Sequence, residues 1–538
     1  MVSAARGERS PMVSASRTLR ILPMGERALL AEVAGLADVL ALHAALSISA
    51  SAFPGIVDLV PAARTMLVPF DPARTSAAAV RDVIERAWSQ ATDAAAPPSP
   101  ADPITLDIAY DGPDLAEVAE MLGLGPGELA ERHERAPWTV AFTGFAPGFG
   151  YLTSPAWTFD VPRLHVPRTR VPAGAVGIAG AFSGAYPRET PGGWRLIGTT
   201  TAALFDPAAA RPALLRPGDR VRFRSIGRPS VRATPTASVV PARTAGEAES
   251  PAIRVVEPGL LATVQDLGRP GHASIGVARS GALDRESLRI ANRLVGNAEG
   301  RAGIEVALGG FRAVAARDLW IAVSGGSGPL TIDGRPVGTH VARPWPARSE
   351  LRIGWLEHGA RAYLAVRGGI VADEVLGSRS TDTLAGLGPG PLRAGGSLPV
   401  GRAPRDPVPP LDIAPWGAPP DHLELELAPG PRADWFEPSA LRALFESVWT
   451  VSRDADRVGA RLDGPELVRA VPGELPSEGM VPGALQVPPG GRPTVLLADG
   501  PVTGGYPVIA VVTDASLDAL GQARPGTRIR FRHARSHA

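Results

Sequence analysis

Two short runs hold most of the side chains that could do chemistry: TVQDLGRPG (263–271) and VARSGALDRESLRIAN (277–292). Gln265, Asp266, Arg269, Arg279, Asp284 and Asn292 crowd these runs. Carboxylates such as Asp266 and Asp284 can serve as general bases or bind Mg²⁺, and Asp284 also reads as a helix N-cap. A different chemistry is offered by FTGFAPGFGYL (142–152). Gly144, Gly148 and Gly150 free the backbone to bend, so Phe145, Phe149 and Tyr151 either wall a pocket or fill the core behind a β-bulge. Arg163, Arg168 and Arg170 lie among prolines in VPRLHVPRTRVPAG, a stiff presentation suited to carboxylate or phosphate. Gly192–Gly193 and Gly504–Gly505, the latter flanked by Thr503 and Tyr506, form Gly-Gly turns whose N–H groups can cradle an anion. Arg379, Arg457, Glu478 and Gln486 complete the polar candidates. Asp266, Arg279, Asp284 and Glu478 are the candidate catalytic residues, and Phe145, Phe149, Tyr151, Arg163, Arg168, Gly192, Gly193, Gln265, Arg269, Asn292, Arg379, Arg457, Gln486, Thr503, Gly504, Gly505 and Tyr506 are the candidate substrate contacts. Nine histidines are scattered without metal-site spacing. Among them only His133, shortly before the aromatic run, joins the substrate contacts.

Composition removes several chemistries. The 538-residue chain has no cysteine, which excludes disulfides, thiolate catalysis and Cys-ligated metals. It has no lysine either, so all 55 Lys+Arg residues are arginine. A Walker-type Gly-Lys loop, a Schiff base and a biotinyl-lysine are therefore impossible in this chain. Net charge is +1, which gives no global field for nucleic acid or an anionic membrane. No GxSxG elbow marks a serine hydrolase. No apolar run is long enough to span a bilayer, and the cytoplasm is the expected location.

These residues need elements to hold them. Residues 1–16 read as a disordered leader and 17–98 as a small α/β domain, in which SAAAVRDVIERAWSQAT is an amphipathic helix. Residues 99–228 read as a β-rich, barrel-like unit and 229–250 as a linker. Residues 251–410 form a further β-rich domain with one helix, LDRESLRIANRLVGN, and 411–533 a last unit. An internal echo ties the units together. VPAGAVGI (171–178) is matched by VPGALQV (481–487), TPGGW (190–194) by VTGGY (502–506), and LLRPGDRVRF (214–223) by QARPGTRIRF (522–531). The order is the same, so one β module closes each half, and the two Gly-Gly turns are expected to face a common cleft.

Longer motifs carry a family resemblance. GIVDLVPAARTMLVPFDP, FTGFAPGFGYL, PRLHVPRTRVPAGAVGIAG, YPRETPGGWRLIG and LLRPGDRVRF resemble the B component of 5-oxoprolinase, also described as allophanate hydrolase subunit 1 or Kip-type. TVQDLGRPGH, GVARSGALD, GSRSTD, RLDGPEL, SEGMVPGALQVPP and TGGYPVIAVV resemble the C component of the same system, a carboxyltransferase-like domain. The resemblance covers residues 18–228 and 253–532. It implies a β-rich α+β fold with several cyclophilin-like β-barrel domains beside the small N-terminal α/β domain. It implies the B and C components of an ATP-dependent opening of 5-oxoproline to glutamate, with the 5-oxoprolinase A component as a separate partner and with ATP and Mg held here or by that partner. It leaves open a carboxyltransferase moving a carboxyl from carboxybiotin to urea or a related amide, a Kip-type kinase inhibitor, and assembly as a homo-oligomer. Asp499-Gly500-Pro501-Val502-Thr503 departs from the polar residues often found there in the C component, which places specificity for 5-oxoproline in question.

Overall fold

The structure, a computed structural model, describes residues 18–51, 53–91, 102–227, 251–410, 414, 417–473 and 475–535. The leader 1–16 and the linker 229–250 lie outside the described residues. The chain forms a small N-terminal sheet domain, a barrel, a two-sheet domain and a second barrel. Among the described residues no helix is long and apolar enough to cross a membrane.

The N-terminal sheet runs in the order Leu19–Pro23, Ala28–Val33, Thr65–Pro69, Val60–Pro61. Strand Ala28–Val33 is apolar on both faces because both are covered. Leu29, Ala31 and Val33 pack on helices Leu36–Ser51 and Ala77–Gln90. Ala28 and Leu30, on the opposite pleat, join Val60 and Leu67 in a core shared with Met480, Ala484, Leu496, Val508 and Val511 of the second barrel. The period of two thus sets helices on one side and another domain on the other. Helix Ala77–Gln90 starts where Ser76 Oγ accepts the Ala79 N–H.

The internal echo becomes a duplicated barrel. In the first barrel the strands follow the spatial order Ile104–Ile108, Arg220–Ser225, Trp138–Thr143, Gly150–Thr153, Phe182–Ala185, Ala175–Ala179, Arg195–Thr199. An Ala109–Thr199 bridge links its two ends. The second, fully closed barrel repeats the order: His422–Pro429, Arg528–His533, Trp449–Val451, Gly459–Asp463, Thr494–Leu496, Ala484–Gln486, Val508–Val512. In both, the first and last strands in sequence pair in parallel. Both also begin the third spatial strand with a buried tryptophan whose indole N–H donates to a carbonyl five residues upstream, Trp138 to His133 and Trp449 to Leu444. The repeated RPGD and RPGT runs are the turns that feed each parallel closing strand.

Between the barrels, residues 251–400 pack a six-stranded sheet on a five-stranded one around one apolar core. Barrels therefore number two among the described residues, and this unit is a sandwich. Helix Arg285–Leu294 lies against strands Leu319–Ser327 and His358–Val366. Asp284 caps it, its carboxylate accepting from Ser287 N–H at 2.9 Å.

Candidate functional site

The two halves meet along a polar seam, and the aromatic run lies on it. Strands Trp138–Thr143 and Gly150–Thr153 form a hairpin with a register shift between Val140 and Phe142, so a bulge is present. Its loop turns through Phe145 (φ 63°) and Gly148 (φ 77°). Thr143 Oγ1 donates to Ser274 O, Gly148 N–H to Ile275 O, and Thr503 Oγ1 accepts the Phe145 N–H at 3.0 Å. Gly144 is required there, because a Cβ would sit 2.2 Å from Thr503 Oγ1.

The three aromatics divide between the two expected roles. Phe149 and Tyr151 are buried in a cluster with Phe142, Tyr186 and Trp194, so they fill a core. Phe145 alone is 38% exposed, touching Phe149 and Tyr186 edge-on. The two Gly-Gly turns are joined through these side chains. Gly192 packs on the Tyr186 ring, Tyr186 meets Phe145, and Phe145 meets Thr503. Gly193 accepts from Leu164 N–H, while Gly504 leaves room for Gln486. Tyr506 and Arg163 are exposed.

Several residues with catalytic side-chain types are held by internal hydrogen bonds and ion pairs of the fold. His133 is fully buried, with one ring nitrogen bonded to Tyr110 Oη and the other to Ser183 Oγ. Burial pulls its pKa down to about 3, so it is a neutral residue inside the barrel core. Glu478 is paired with Arg432, which also reaches Glu32 of the N-terminal sheet. Asp266 accepts from Gly268 N–H, Ser378 Oγ, Arg379 N–H and Ser380 Oγ, and so staples two loops. Asp284 is filled by Ser287 and by Gln522 Nε2, and burial raises its carboxyl to about 6. Asn292 bonds the carbonyls of Glu299 and Arg301. Arg168 pairs with Asp114 at 2.6 Å, Arg379 with Glu374 at 3.0 Å, and Gln486 donates to Met480 Sδ. Arg279 donates weakly to Leu267 O, and Gln265 donates to Thr263 Oγ1 and Thr381 O.

Arg457 anchors a buried ionic knot. Its guanidinium donates to both Asp499 oxygens, to Glu305 Oε1 at 2.6 Å and to Gly281 O at 2.6 Å. Burial opposes its charge, but Glu305 and Asp499 outweigh burial and hold it above its ordinary range. Asp499 also accepts from Ser280 Oγ and from the Thr383 N–H and hydroxyl. Burial opposes the Asp499 carboxylate too, yet Arg457 keeps its pKa below the ordinary value.

One step from this knot stands a group of charged side chains that the fold leaves incomplete. Asp382, 1% exposed, accepts Leu384 and Ala385 N–H on Oδ1, while its buried Oδ2 has no partner. Burial first, then Asp499, raises its carboxyl to about 6. Arg269, also 1% exposed, donates to Val375 O and Ser380 O, and its buried Nη1 has no partner. Arg188, from the first barrel, reaches the Asp382–Leu387 hairpin so closely that a Cβ on Gly386 would lie 3.6 Å from its guanidinium. Its buried Nη1 is unpartnered as well. Asp382 attracts both arginines. Of these three, only Arg269 stands among the candidates that sequence alone supplies. Arg188 and Asp382 sit inside the runs YPRETPGGW and GSRSTD, and membership of those runs is the signal that could have found them.

Each barrel is preceded in the chain by a sheet unit, and family models match both halves. Residues 275–533 match the carboxyltransferase domain, subdomain A and B, and residues 19–215 match the carboxyltransferase domain, subdomain C and D. The chain is 37% identical to the C component of 5-oxoprolinase from Escherichia coli (strain K12) over 284 residues, 52% of this chain and 90% of that one. It is 43% identical to the B component of 5-oxoprolinase from Escherichia coli O157:H7 over 175 residues, 32% of this chain and 78% of that one. The crystal structure of TTHA0988 aligns with a TM-score of 0.82 at 39% identity, covering 94% of this chain and 99% of that one. The chain belongs to the family of 5-oxoprolinase B and C components, with counterparts of both in one polypeptide.

Proposed function

We propose that this chain is the fused B and C component of an ATP-dependent 5-oxoprolinase that works with a further, A-type partner component. The observation that carries the reading is the join itself. Counterparts of two components of one enzyme share a core and a hydrogen-bonded seam, and polar side chains from both halves converge beside it. A lactam carbon is a poor electrophile, so opening it requires charge to be drawn from the amide oxygen. ATP, when bound, would supply the phosphoryl group that activates that oxygen. Within this chain Arg188 and Arg269 are the side chains fit to neutralise charge there, and Asp382 is the group fit to hold or release a proton near neutral pH. Among the described residues no three His, Asp or Glu side chains form a metal-holding cluster. Mg²⁺ would then arrive with phosphates and water, or on the partner.

A second reading draws support from the carboxyltransferase description of both matching family models. On that reading the same seam would take a urea-like acceptor, with the biotin carried on another chain. The test is glutamate release from 5-oxoproline with ATP, using the full chain with and without its A-type partner. Glutamate formed only in the mixture is the expected result. No glutamate in the mixture, together with carboxyl transfer to a urea-like acceptor from carboxybiotin, would overturn the first reading in favour of the second.

A further inference from the structure

Arg188, Arg269 and Asp382 present a physical contradiction as they stand. Charges of opposite sign in a buried setting attract strongly, yet the facing atoms Asp382 Oδ2, Arg188 Nη1 and Arg269 Nη1 make no hydrogen bond to one another. The fold does close such pairs elsewhere, as Arg457 does with Asp499 and Arg432 with Glu478. Here each member keeps one buried polar atom unused: Nη1 of Arg188, Nη1 of Arg269 and Oδ2 of Asp382. Buried donors and acceptors in native proteins find partners, so unused atoms on Asp382 and on the two arginines that feel its charge call for a bound group. Two guanidinium donors call for an anion, and a planar carboxylate matches them.

The neighbourhood favours the same occupant. The charged groups facing Asp382 are Arg269 on its own domain, Arg188 from the first barrel, and Asp499 with its partner Arg457 from the second barrel. Asp499 is fully occupied by Arg457, Ser280 and Thr383, so it leaves both free guanidinium N–H groups for a ligand. Asp382 opens the Asp382–Leu387 hairpin, and Gly386 within it lies beside the Arg188 guanidinium.

We infer that Arg188, Arg269 and Asp382 form a subsite for the carboxylate of an amide-bearing acid, the two arginines donating to its oxygens and the Asp382 carboxyl sharing a proton with it. The inference rests on the reading of the seam as the amide site. The carboxylate could belong to 5-oxoproline or to a carboxylate-bearing urea, and the probes separate these sources.

The experiment is titration calorimetry on the full chain at pH 7 with two matched pairs: 5-oxoproline against 2-pyrrolidinone, and N-carbamoylglycine against methylurea. One carboxylate ligand is expected to bind at least about 10-fold tighter than its neutral match, the size of one charge-assisted pair. Arg188→Gln, at a half-buried position, is expected to shrink that preference to about 3-fold or less while leaving the thermal midpoint in place. Asp382→Asn reports the shared proton: the pH dependence of binding between pH 5 and 7 is expected to flatten. Equal affinity within each pair, a preference untouched by Arg188→Gln, or no binding of any probe would each overturn the subsite and leave water as its occupant. Glutamate release from the reconstituted complex that is unchanged in Arg188→Gln would sink the subsite while sparing the 5-oxoprolinase reading. Carboxylate selectivity confined to N-carbamoylglycine, with no glutamate formed, would do the reverse.

Discussion

Replacing Arg457 by Met tests the account of the buried knot most directly. The guanidinium is 3% exposed and the carboxylates of Glu305 and Asp499 are 3% and 0% exposed. Deleting the cation strands two anions in a low-dielectric interior, where losing one partner of a buried pair costs about 3–5 kcal/mol. At about 2–4 °C per kcal/mol for a unit of this size, the melting transition should fall by roughly 6–20 °C. Once stranded, the two carboxyls acquire folded-state pKa values above their unfolded ones. The penalty is then small at low pH and grows as pH rises through those values, so the deficit at pH 8 should exceed that at pH 5. Adding Glu305→Gln and Asp499→Asn to Arg457→Met removes the stranded charge and should recover at least half the loss. Calorimetric scans of the wild type, the single variant and the combined variants across pH read all of this. A single variant that melts with the wild type, or a loss that neither acid nor neutralisation relieves, would mean that packing rather than charge holds this centre.

Three further outcomes follow from the geometry. His133 is held neutral with its pKa depressed, so the first barrel should keep its full stability above about pH 6.5 and lose about 1.4 kcal/mol per pH unit below it; urea midpoints at pH 7.5 and 5 should show this slope, and His133→Gln should flatten it. Gly144→Ala drives a methyl into Thr503, so exchange of the Phe145 amide should quicken by about 10-fold or more, and Gly144→Ala with Thr503→Ala should restore protection. Arg432→Met strands Glu478 and leaves Glu32 only its pair with Arg20; the N-terminal sheet should loosen from the second barrel by about 3 kcal/mol, seen as faster exchange in Ala28–Val33 with little change in the sandwich.

The duplicated barrel is legible in the sequence because strands ending in Gly-Pro turns leave short, ordered signatures, and RPGD and RPGT frame the same closing strand in both copies. Asp284 is legible as a cap for a local reason: the acceptor and the Ser287 amide lie three residues apart. The incomplete charged group is not legible as a group, although each of its members lies in a recognisable run. Arg188, Arg269 and Asp382 come from loops far apart in sequence, and no spacing rule connects them. The bonds that hold His133, Asp266 and Glu478 are illegible for the matching reason. Their partners Tyr110, Ser183, Ser378, Ser380 and Arg432 are distant, so side chains suited to catalysis look the same in sequence as side chains spent on holding the fold. The aromatic run holds both of its alternatives at once: its bulge buries Phe149 and Tyr151 and leaves Phe145 at the seam.

The core shared by the N-terminal sheet and the second barrel bears on assembly. Met24, Ala28, Leu30, Val60 and Leu67 meet Met480, Ala484, Leu496, Val508 and Val511 as the interior of one domain would. Where the two halves are separate polypeptides, a corresponding contact would be a bimolecular equilibrium, set by the concentrations of both chains. Carried on one polypeptide, it becomes intramolecular, with an effective concentration fixed by tether length and insensitive to dilution. The halves are produced in equal number, neither exposes its apolar face to wait for the other, and the seam is complete as soon as a single molecule has folded.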